Sequence, residues 1–456
     1  MSRNVPRSGL RDIAWPALPD ELGARMLALQ FQFEASERWP EAEIEAQQFR
    51  QIEELLAFCH TAVPFWRDRL RKAGIRPGLK LTRQIWSRLP ILTRRDAQDA
   101  GLRLRAAKLP DGHGQIVTGA TSGSTGVPLS YARSELARFM LLSANLRLVL
   151  WHGLDMTGKT AIARLLASGA DVPQTATIKP NWGEGFEAFS TGPSILFDLR
   201  LPPSRQFDIL AQEGVADFVT FPSNAAQIAR YCRDTGRMLP DLRAINTYGE
   251  LLTDDARALC REVFGVPIID AYSAEETGFL SIQCPHHDHH HVMAEHVKVE
   301  VLDAAGHPCG PGQTGRVVVT PLHNFAMPLL RYEIGDYAEV GPPCTCGRTL
   351  PVLTRILGRS RDRVHLPNGD SKLAFLGAQQ LYRIPAIIQH QVAQIAPEIM
   401  EYRLVTRDRL TEADETFLTT ILRSSLAYPF QVRFTYVDAI PRMPNGKYQD
   451  FISELG

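Results

Sequence analysis

An excess of charge of either sign is missing from this 456-residue chain: Lys and Arg number 50, Asp and Glu 50. Such balance offers no field for neutralising phosphates, which excludes an electrostatic nucleic-acid binder. No basic tail is present for an anionic membrane. Long apolar runs are also missing. The nearest approach, residues 139–154, is broken by Asn145 and Arg147 and falls short of the roughly 18 residues of a span. The start, MSRNVPRSGL, lacks the apolar stretch of a secretory signal. Cysteine is scarce and odd in number, at seven, which argues against a disulfide framework. There is no internal repeat and no low-complexity tract. The 44% hydrophobic content excludes wholesale disorder. A cytoplasmic, soluble protein of about two to four domains is expected.

Three stretches differ in pattern. Residues 1–105 are mostly helical and charged. Within 40–60, Ile44, Phe49, Ile52, Leu55 and Leu56 recur at helical spacing. From about 115 to 285, apolar runs alternate with helical patterns. Residues 115–118, 215–221 and 266–270 read as strands. Ser134, Ser204 and Thr253 are candidate helix caps; Gly214 and Gly265 are candidate stops. This alternation predicts a parallel sheet with helices on its faces. From about 292 to 340 the period becomes two, with Val297, Val299 and Val301 inward, which predicts an antiparallel sheet or barrel. Strands at 402–405 and 432–436 around a helix after Thr411 form a last unit. The expected fold is α/β: a large N-terminal domain with parallel α/β sheets and a β-barrel-like part, then a small mobile α+β domain. Residues 1–105 are the helical part of the large domain, 106–357 its binding core, and 358–456 the small domain.

Two segments resemble phosphate loops. The first contains Thr121, Ser122, Gly123, Ser124, Thr125 and Gly126, followed by Val127 and Pro128. It follows a strand and precedes a helix. Glycines let successive backbone N–H groups converge, and hydroxyls add donors, which makes a nest for phosphate oxygens. The second runs from Gly153 to Gly158, Lys159 and Thr160 and matches G-x4-G-K-[ST]. A helical pattern at 161–166 follows it. It supports a rival reading, a P-loop ATPase or kinase using Lys159, with Asp270 as the strand-borne carboxylate.

Further motifs accompany the first loop, in order. Asp270, Ala271, Tyr272, Ser273, Ala274, Glu275 and Glu276 resemble N-x-Y-G-x-T-E. Arg331 and Tyr332, then Gly335 and Asp336, resemble Y-R-x-G-D. Gly358, Arg359, Arg361 and Asp362 resemble a G-R-x-D-D hinge. Pro441 to Lys447 resemble P-R-x-P-x-G-K. Together with the 120–126 loop these resemble the signature of the adenylate-forming (acyl-CoA synthetase) superfamily over residues 118–447, and within it the phenylacetate–coenzyme A ligase-like branch with its capsule-biosynthesis relatives.

That resemblance implies an ATP-dependent carboxylate ligase. A small carboxylic acid, aromatic in the nearest relatives, attacks the α-phosphate and releases pyrophosphate. The acyl group of the adenylate then passes to coenzyme A or, alternatively, to an amine or a carrier-protein thiol. It implies that residues 121–126 hold the β- and γ-phosphates and that Glu276 helps hold magnesium. Asp336 would accept from the ribose hydroxyls, and Arg359 would donate to ribose or phosphate. Tyr248, Gly249, Glu250, Asp270, Ala271 and Tyr272 would frame adenine. Lys447 would neutralise charge between carboxylate and α-phosphate. Ser273, Glu275 and Arg361 depart from the pattern, and residues 364–369 lack a common lysine. These departures keep open a nucleotide-binding scaffold without turnover. A homodimer fits the family.

Cysteine and histidine form a separate constellation. Cys284 and the histidines 286, 287, 289, 290 and 291 precede a strand, and Cys344 and Cys346 follow on a C-x-C-G knuckle. Two thiolates, a distant thiolate and an imidazole make a closed structural zinc site. Cys284, His291, Cys344 and Cys346 are its expected ligands, with His289 or His290 as substitutes for His291 and Cys309 as a spare. Cys59, Cys232 and Cys260 lie in helical patterns and are expected in the core. The same holds for Trp182, Phe186 and Phe189.

Overall fold

The computed structural model describes residues 4–121, 128–166, 172–359, 363–373, 384, 386–443 and 446–455. Five helices open the chain: α1 (Glu21–Ser36), α2 (Glu41–Ala62), α3 (Pro64–Lys72), α4 (Arg83–Trp86) and α5 (Arg94–Ala100). Their starts are set locally. The Asp20 carboxylate accepts from Gly23 N–H, Thr82 from Ile85, and Thr93 forms a capping box with Asp96. The stripe Phe49, Ile52, Leu55, Leu56 and Cys59 of α2 is buried, as its spacing predicts. Trp66 of α3 is fully buried, and its indole N–H donates to Pro328 O at 2.8 Å. One core joins α2, α3, α4 and α5 to Val317, Val319 and Tyr332, while Met26 of α1 packs in a second cluster.

A hairpin follows, β1 (Ile116–Ala120) and β2 (Ser130–Ser134), then α6 (Glu135–Trp151), capped by the Ser134 hydroxyl. The central sheet begins with β3 (Thr160–Arg164), β4 (Thr177–Lys179), β5 (Ser194–Asp198), β6 (Asp217–Thr220), β7 (Ala244–Tyr248) and β8 (Ile268–Ala274). Strands β5, β3, β6, β7 and β8 run parallel. Their crossovers are α7 (Pro203–Glu213), α8 (Pro222–Thr235) and α9 (Asp254–Phe264). Thr253 caps α9, whose first turn carries Asp254 and Asp255 at the positive end of the dipole. Gly214 closes α7 at φ +59°, a left-handed conformation that glycine adopts without strain. Phe197 and Phe218 stack in this core, each burial contributing about 1.5–3 kcal/mol.

The sheet continues through β9 (Gly278–Gln283), β10 (His290–Val292), β11 (Val297–Leu302), β12 (Thr314–Pro321), β13 (Tyr332–Val340) and β14 (Val352–Arg359). These pair antiparallel. The order is β11-β12-β13-β14-β10-β9-β8-β7-β6-β3-β5-β4, a single 12-stranded sheet. The barrel-like part expected from period-two patterning is therefore antiparallel strands added to the parallel sheet, with no closed barrel. Alternation reports one buried face, and an extended sheet meets it as well as a barrel does.

Two local expectations change. Helix α7, which ends at Gly214, is preceded by Pro202 at its cap position, without a side-chain bond, rather than by Ser204; Pro203 at its first position fixes the start. Residues 161–166, read as helical, begin as β3 with Ala161 and Ala163 fully buried. A short apolar run has no period to distinguish the two.

The smaller C-terminal α/β domain holds β15 (Arg363–His365), β16 (Ser371–Leu373), β17 (Ile387–Ala396), β18 (Ile399–Thr406), α10 (Glu412–Leu426), β19 (Gln431–Tyr436) and β20 (Phe451–Ser453). Its main sheet has the order β19-β18-β17-β20. Thr411 caps α10 in a capping box with Asp414, and Leu418, Leu422, Tyr402 and Phe430 fill the core. No described helix is long and apolar enough to cross a membrane.

Candidate active site

Ligands of open α/β sheets bind beyond the carboxyl ends of the strands. Most of the described candidate residues collect there. Tyr272, near the end of β8, donates its hydroxyl to Asp336 Oδ2 at 2.7 Å. Asp336 on β13 lies directly across from Arg359 on β14. Gly358 and Arg359 end β14. The Arg359 side chain lies outside the described residues, as do Ser122, Gly123, Ser124, Thr125, Gly126, Arg361 and Asp362.

The neck of the 121–128 loop is described. Thr121 N–H donates to Leu129 O at 2.9 Å, and Leu129 N–H returns to Thr121 Oγ1 at 3.0 Å. Arg94 also donates to Thr121 Oγ1, at 2.8 Å, while its other nitrogen stands 3.5 Å from Glu276 Oε1. Tyr332 donates to the same Glu276 oxygen at 3.2 Å. Arg94 thus joins the neck of the 121–128 loop to Glu276. Sequence reasoning missed it, because nothing in the Thr93–Arg94–Arg95–Asp96 run except a helix cap marks it. Glu276 is buried and Glu275 exposed, which separates two neighbouring carboxylates that the sequence left as competing metal ligands. Burial and the Glu276 carboxylate push the Tyr332 hydroxyl well above the ordinary tyrosine range.

Asp270 is placed differently from the others. Its Oδ1 accepts from Thr247 Oγ1 at 2.7 Å, and its Oδ2 stands 3.4 Å from His290 Nε2. The carboxylate is held within the sheet layer. Ala271 beside it is buried and pairs with Tyr248 across β7–β8. Tyr248 packs edge-on against Phe221, with ring centroids 5.2 Å apart, and burial raises its hydroxyl pKa.

Lys447 comes to this edge from the other domain. Gly249 has φ +78°, and a Cβ there would lie 3.7 Å from Lys447 Cε and 3.1 Å from Phe221 Cε1. Glycine is needed for both the backbone conformation and the close approach. Gly446 is equally constrained: at φ +79°, a Cβ would press on Leu199 Cδ2 at 3.2 Å. The lysine turn is closed by Gly446 N–H to Met443 O and Met443 N–H to Lys447 O, each 2.8 Å. Glu250 Oε1 accepts from Tyr448 N–H at 2.6 Å, and its Oε2 accepts from Ser223 N–H at 3.1 Å.

The second G-x4-G-K-[ST] segment is not a phosphate loop. It runs from the end of α6 into β3, helix to strand, whereas a P-loop runs strand to helix and aims the helix N-terminus at phosphate. Lys159 pairs with Glu213 at 3.3 Å, both partly exposed, an ion pair worth under about 1 kcal/mol.

A Cys/His cluster lies on the same sheet, on the β9–β10 loop and the segment before β14. Cys284, His289, His291 and Cys344 offer ligand atoms all within 4.8 Å of one another. His289 Nε2 is 3.0 Å from Cys344 Sγ, and the Cys284 and Cys344 sulfurs are 3.9 Å apart. Cys346 adjoins them, its Sγ 3.4 Å from His291 Nε2, and Arg348 donates to that sulfur at 3.9 Å. His289 therefore joins the expected set of Cys284, His291, Cys344 and Cys346. His290 faces Asp270 and Ser281, and Cys309 stands on the β11–β12 turn. Burial lowers the His291 pKa to about 4 and also lowers that of His289. Both imidazoles are then neutral near pH 7 and have a lone pair to offer. Cys59, Cys232 and Cys260 are fully buried in the core, and Trp182, Phe186 and Phe189 form part of another buried cluster.

No protein-family model matches the chain. It is 26% identical over 379 residues to a phenylacetate–coenzyme A ligase of Thermus thermophilus, covering 78% of each chain. It also resembles solved structures of a 2-hydroxyisobutyryl-CoA ligase at 17–18% identity. The postadenylation state of that ligase, bound to an acyl-AMP, overlays with a TM-score of 0.74 over 92% of this chain and 91% of the other. Its thioesterification state, with CoA, gives 0.60 over 91% of each. The chain thus resembles a phenylacetate–coenzyme A ligase in sequence and shares its fold with solved acyl-CoA ligases of the adenylate-forming kind.

Proposed function

We propose that the protein is an AMP-forming carboxylate ligase that makes an acyl-adenylate from a small carboxylic acid and ATP and then transfers the acyl group to coenzyme A. The observation that carries the reading is the arrival of Lys447, from the small domain, at Gly249 on the sheet edge that bears Tyr272, Asp336 and Glu276. The acid's carboxylate oxygen attacks the α-phosphorus, and pyrophosphate leaves. The thiol sulfur then attacks the acyl carbonyl, and AMP leaves. The Lys447 ammonium offsets charge that builds between two anions in the first step, an electrostatic contribution that a water-poor site strengthens. Asp336, braced by Tyr272, takes the ribose hydroxyls, and the 121–126 loop takes the β- and γ-phosphates. Arg94, which links Thr121 to Glu276, adds a cation on the phosphate side.

Glu276 is the residue for magnesium. Its buried carboxylate supplies a hard oxygen donor, which fits a cation that would shield the triphosphate. Zinc is assigned to the Cys/His cluster, with Cys284, His289, His291 and Cys344 as ligands and Cys346 adjoining. Soft sulfur and neutral imidazole donors fit that ion. With all four positions filled by protein, its role is to staple the β9–β10 loop to the segment before β14. The domain boundary is placed at residues 358–362.

The test is carboxylate-dependent exchange of labelled pyrophosphate into ATP, across aryl, fatty and hydroxy acids. Exchange with at least one acid is expected. Silence across the panel, from folded protein with magnesium present, sinks the proposal. Coenzyme A is expected to release AMP stoichiometrically; release only with an amine or a carrier protein would redirect the second step.

A further inference from the structure

Glu250, expected from the sequence to frame adenine, instead engages both carboxylate oxygens with backbone N–H groups, one in its own domain and one in the other. Glu250 is almost fully buried, its side chain 7% exposed. One carboxylate oxygen accepts from Ser223 N–H at 3.1 Å, on the first turn of α8 in its own domain. The other accepts from the backbone N–H of Tyr448 at 2.6 Å, in the small domain. Arg442, also of the small domain, brings Nη1 to 3.6 Å from that second oxygen. The same nitrogen donates to Ser223 Oγ at 2.9 Å and to Gly446 O at 3.1 Å. Two consecutive residues of the large domain, Gly249 and Glu250, thus face two consecutive residues of the small one, Lys447 and Tyr448. Gly249 leaves room for the lysine stem, and Glu250 fixes the backbone immediately after it.

We infer that Glu250 is a positioning residue which, through Tyr448 N–H and Arg442, holds Lys447 in register over the adenylation site, and which acts in the first half-reaction but not in the second. The inference rests on the proposed ligase reading. The physical reason is a difference between domain arrangements. The overlay scores of 0.74 and 0.60 put this chain nearer to the postadenylation arrangement of a relative than to its thioesterification arrangement. When the small domain turns away, Tyr448 N–H and Arg442 leave, and Glu250 keeps only its Ser223 contact. Charge-assisted hydrogen bonds at a buried carboxylate are among the stronger polar contacts. They exist here in one arrangement only, so they bias the equilibrium toward it. Other contacts across the boundary, Arg230 to Ile388 O at 3.0 Å and the Asp234–Arg407 ion pair, lie on α8 and do not touch the lysine turn. They help to dock the domain, whereas Glu250 sets the lysine register.

The experiment compares wild type, Glu250→Ala and Glu250→Gln, with thermal melts to establish folding. Three quantities are measured: pyrophosphate exchange with the best acid of the panel; thioester formation from the pre-made adenylate of that acid plus coenzyme A; and the interdomain distance, by energy transfer between dyes on α8 and α10 with and without magnesium-ATP. Glu250→Ala is expected to lower the exchange kcat by about 10- to 100-fold, with the KM for ATP within about 2-fold and the adenylate-to-thioester rate within about 2-fold. The dye distance shifts toward the open population. Glu250→Gln, which still accepts the Tyr448 N–H, falls between. Equal loss in both half-reactions makes Glu250 a structural residue and overturns the inference. So does unchanged exchange, or an unchanged distance. If wild type shows no exchange with any acid, the ligase reading fails instead, and the distance measurement still decides whether Glu250 holds the domains.

Discussion

The Tyr272 hydroxyl and the Asp336 carboxylate meet at 2.7 Å, although 64 residues separate them and they sit on strands β8 and β13. The bond ties the parallel part of the sheet to its antiparallel extension at the proposed ribose position. Tyr272→Phe removes one donor while leaving the carboxylate and the ring. The expected result is a KM for ATP in the exchange assay raised about 2- to 10-fold with kcat little changed, since a neutral hydrogen bond contributes about 0.5–1.5 kcal/mol. Asp336→Ala, which removes the acceptor itself, is expected to raise it at least 10-fold. A Tyr272→Phe enzyme with ordinary KM would separate the tyrosine from nucleotide binding.

Lys447→Ala is expected to lower the adenylation rate by about 100- to 1,000-fold, the usual loss for one preorganised charge at a developing anion. ATP affinity should change by less than about 3-fold, because the ammonium acts on the transition state more than on bound nucleotide. Lys159→Ala is the contrast. Its partner Glu213 is partly exposed and its segment leads into a strand, so turnover should be unchanged. Rapid-quench measurement of pyrophosphate release checks both. Equal effects of the two substitutions would remove Lys447 from its role.

The order of motifs made the resemblance legible, and caps and glycines of the elements around them read locally. Thr253, Gly214 and Gly265 mark α7 and α9 in this way. Other features needed three dimensions. Arg94 resembles any surface arginine until α5 is folded against the β1–β2 hairpin. The β3 run could not be told from a helix, since a buried five-residue strand shows neither period. His289 and His291 alternate along a strand approach and both reach the cluster, while His290 between them faces Asp270. A one-residue alternation of this kind depends on where the strand begins, and sequence spacing fixes that poorly. The Glu250 contacts cross between domains and leave no trace in local pattern.

The Cys/His cluster gives a separable prediction. Cys344 belongs to the set whose ligand atoms all lie within 4.8 Å of one another, whereas Cys346 touches that set from its edge, through His291 and the Cys284 and Cys344 thiols. Cys344→Ser is therefore expected to abolish stoichiometric zinc and lower the melting temperature, and Cys346→Ser to do so less. Cys309→Ser, away from the cluster, is expected to leave zinc unchanged. Metal analysis of the purified variants, with melting curves before and after chelation, is the check. Protein without zinc, or a Cys344→Ser variant with full zinc and unchanged melting, removes the metal.

Asp217 provides a test of stability independent of catalysis. It starts β6, is 3% exposed, and its Oδ1 meets no hydrogen-bond partner among the described residues. Burial, with a smaller contribution from Asp155, raises its pKa to about 7 from an ordinary 3.8. Between those values the folded state keeps a proton that the unfolded state has lost. Stability must then fall as pH rises through that window, and the penalty is complete above pH 7. Asp217→Asn cannot ionise and keeps the shape of the neutral acid. Relative to wild type, it is expected to stabilise the protein by about 2–4 kcal/mol at pH 8 and by little at pH 4. Denaturant unfolding at the two pH values measures the difference. An Asn variant no more stable than wild type at pH 8 would show that the carboxylate finds a compensating partner, and that the large domain's response to alkali lies elsewhere.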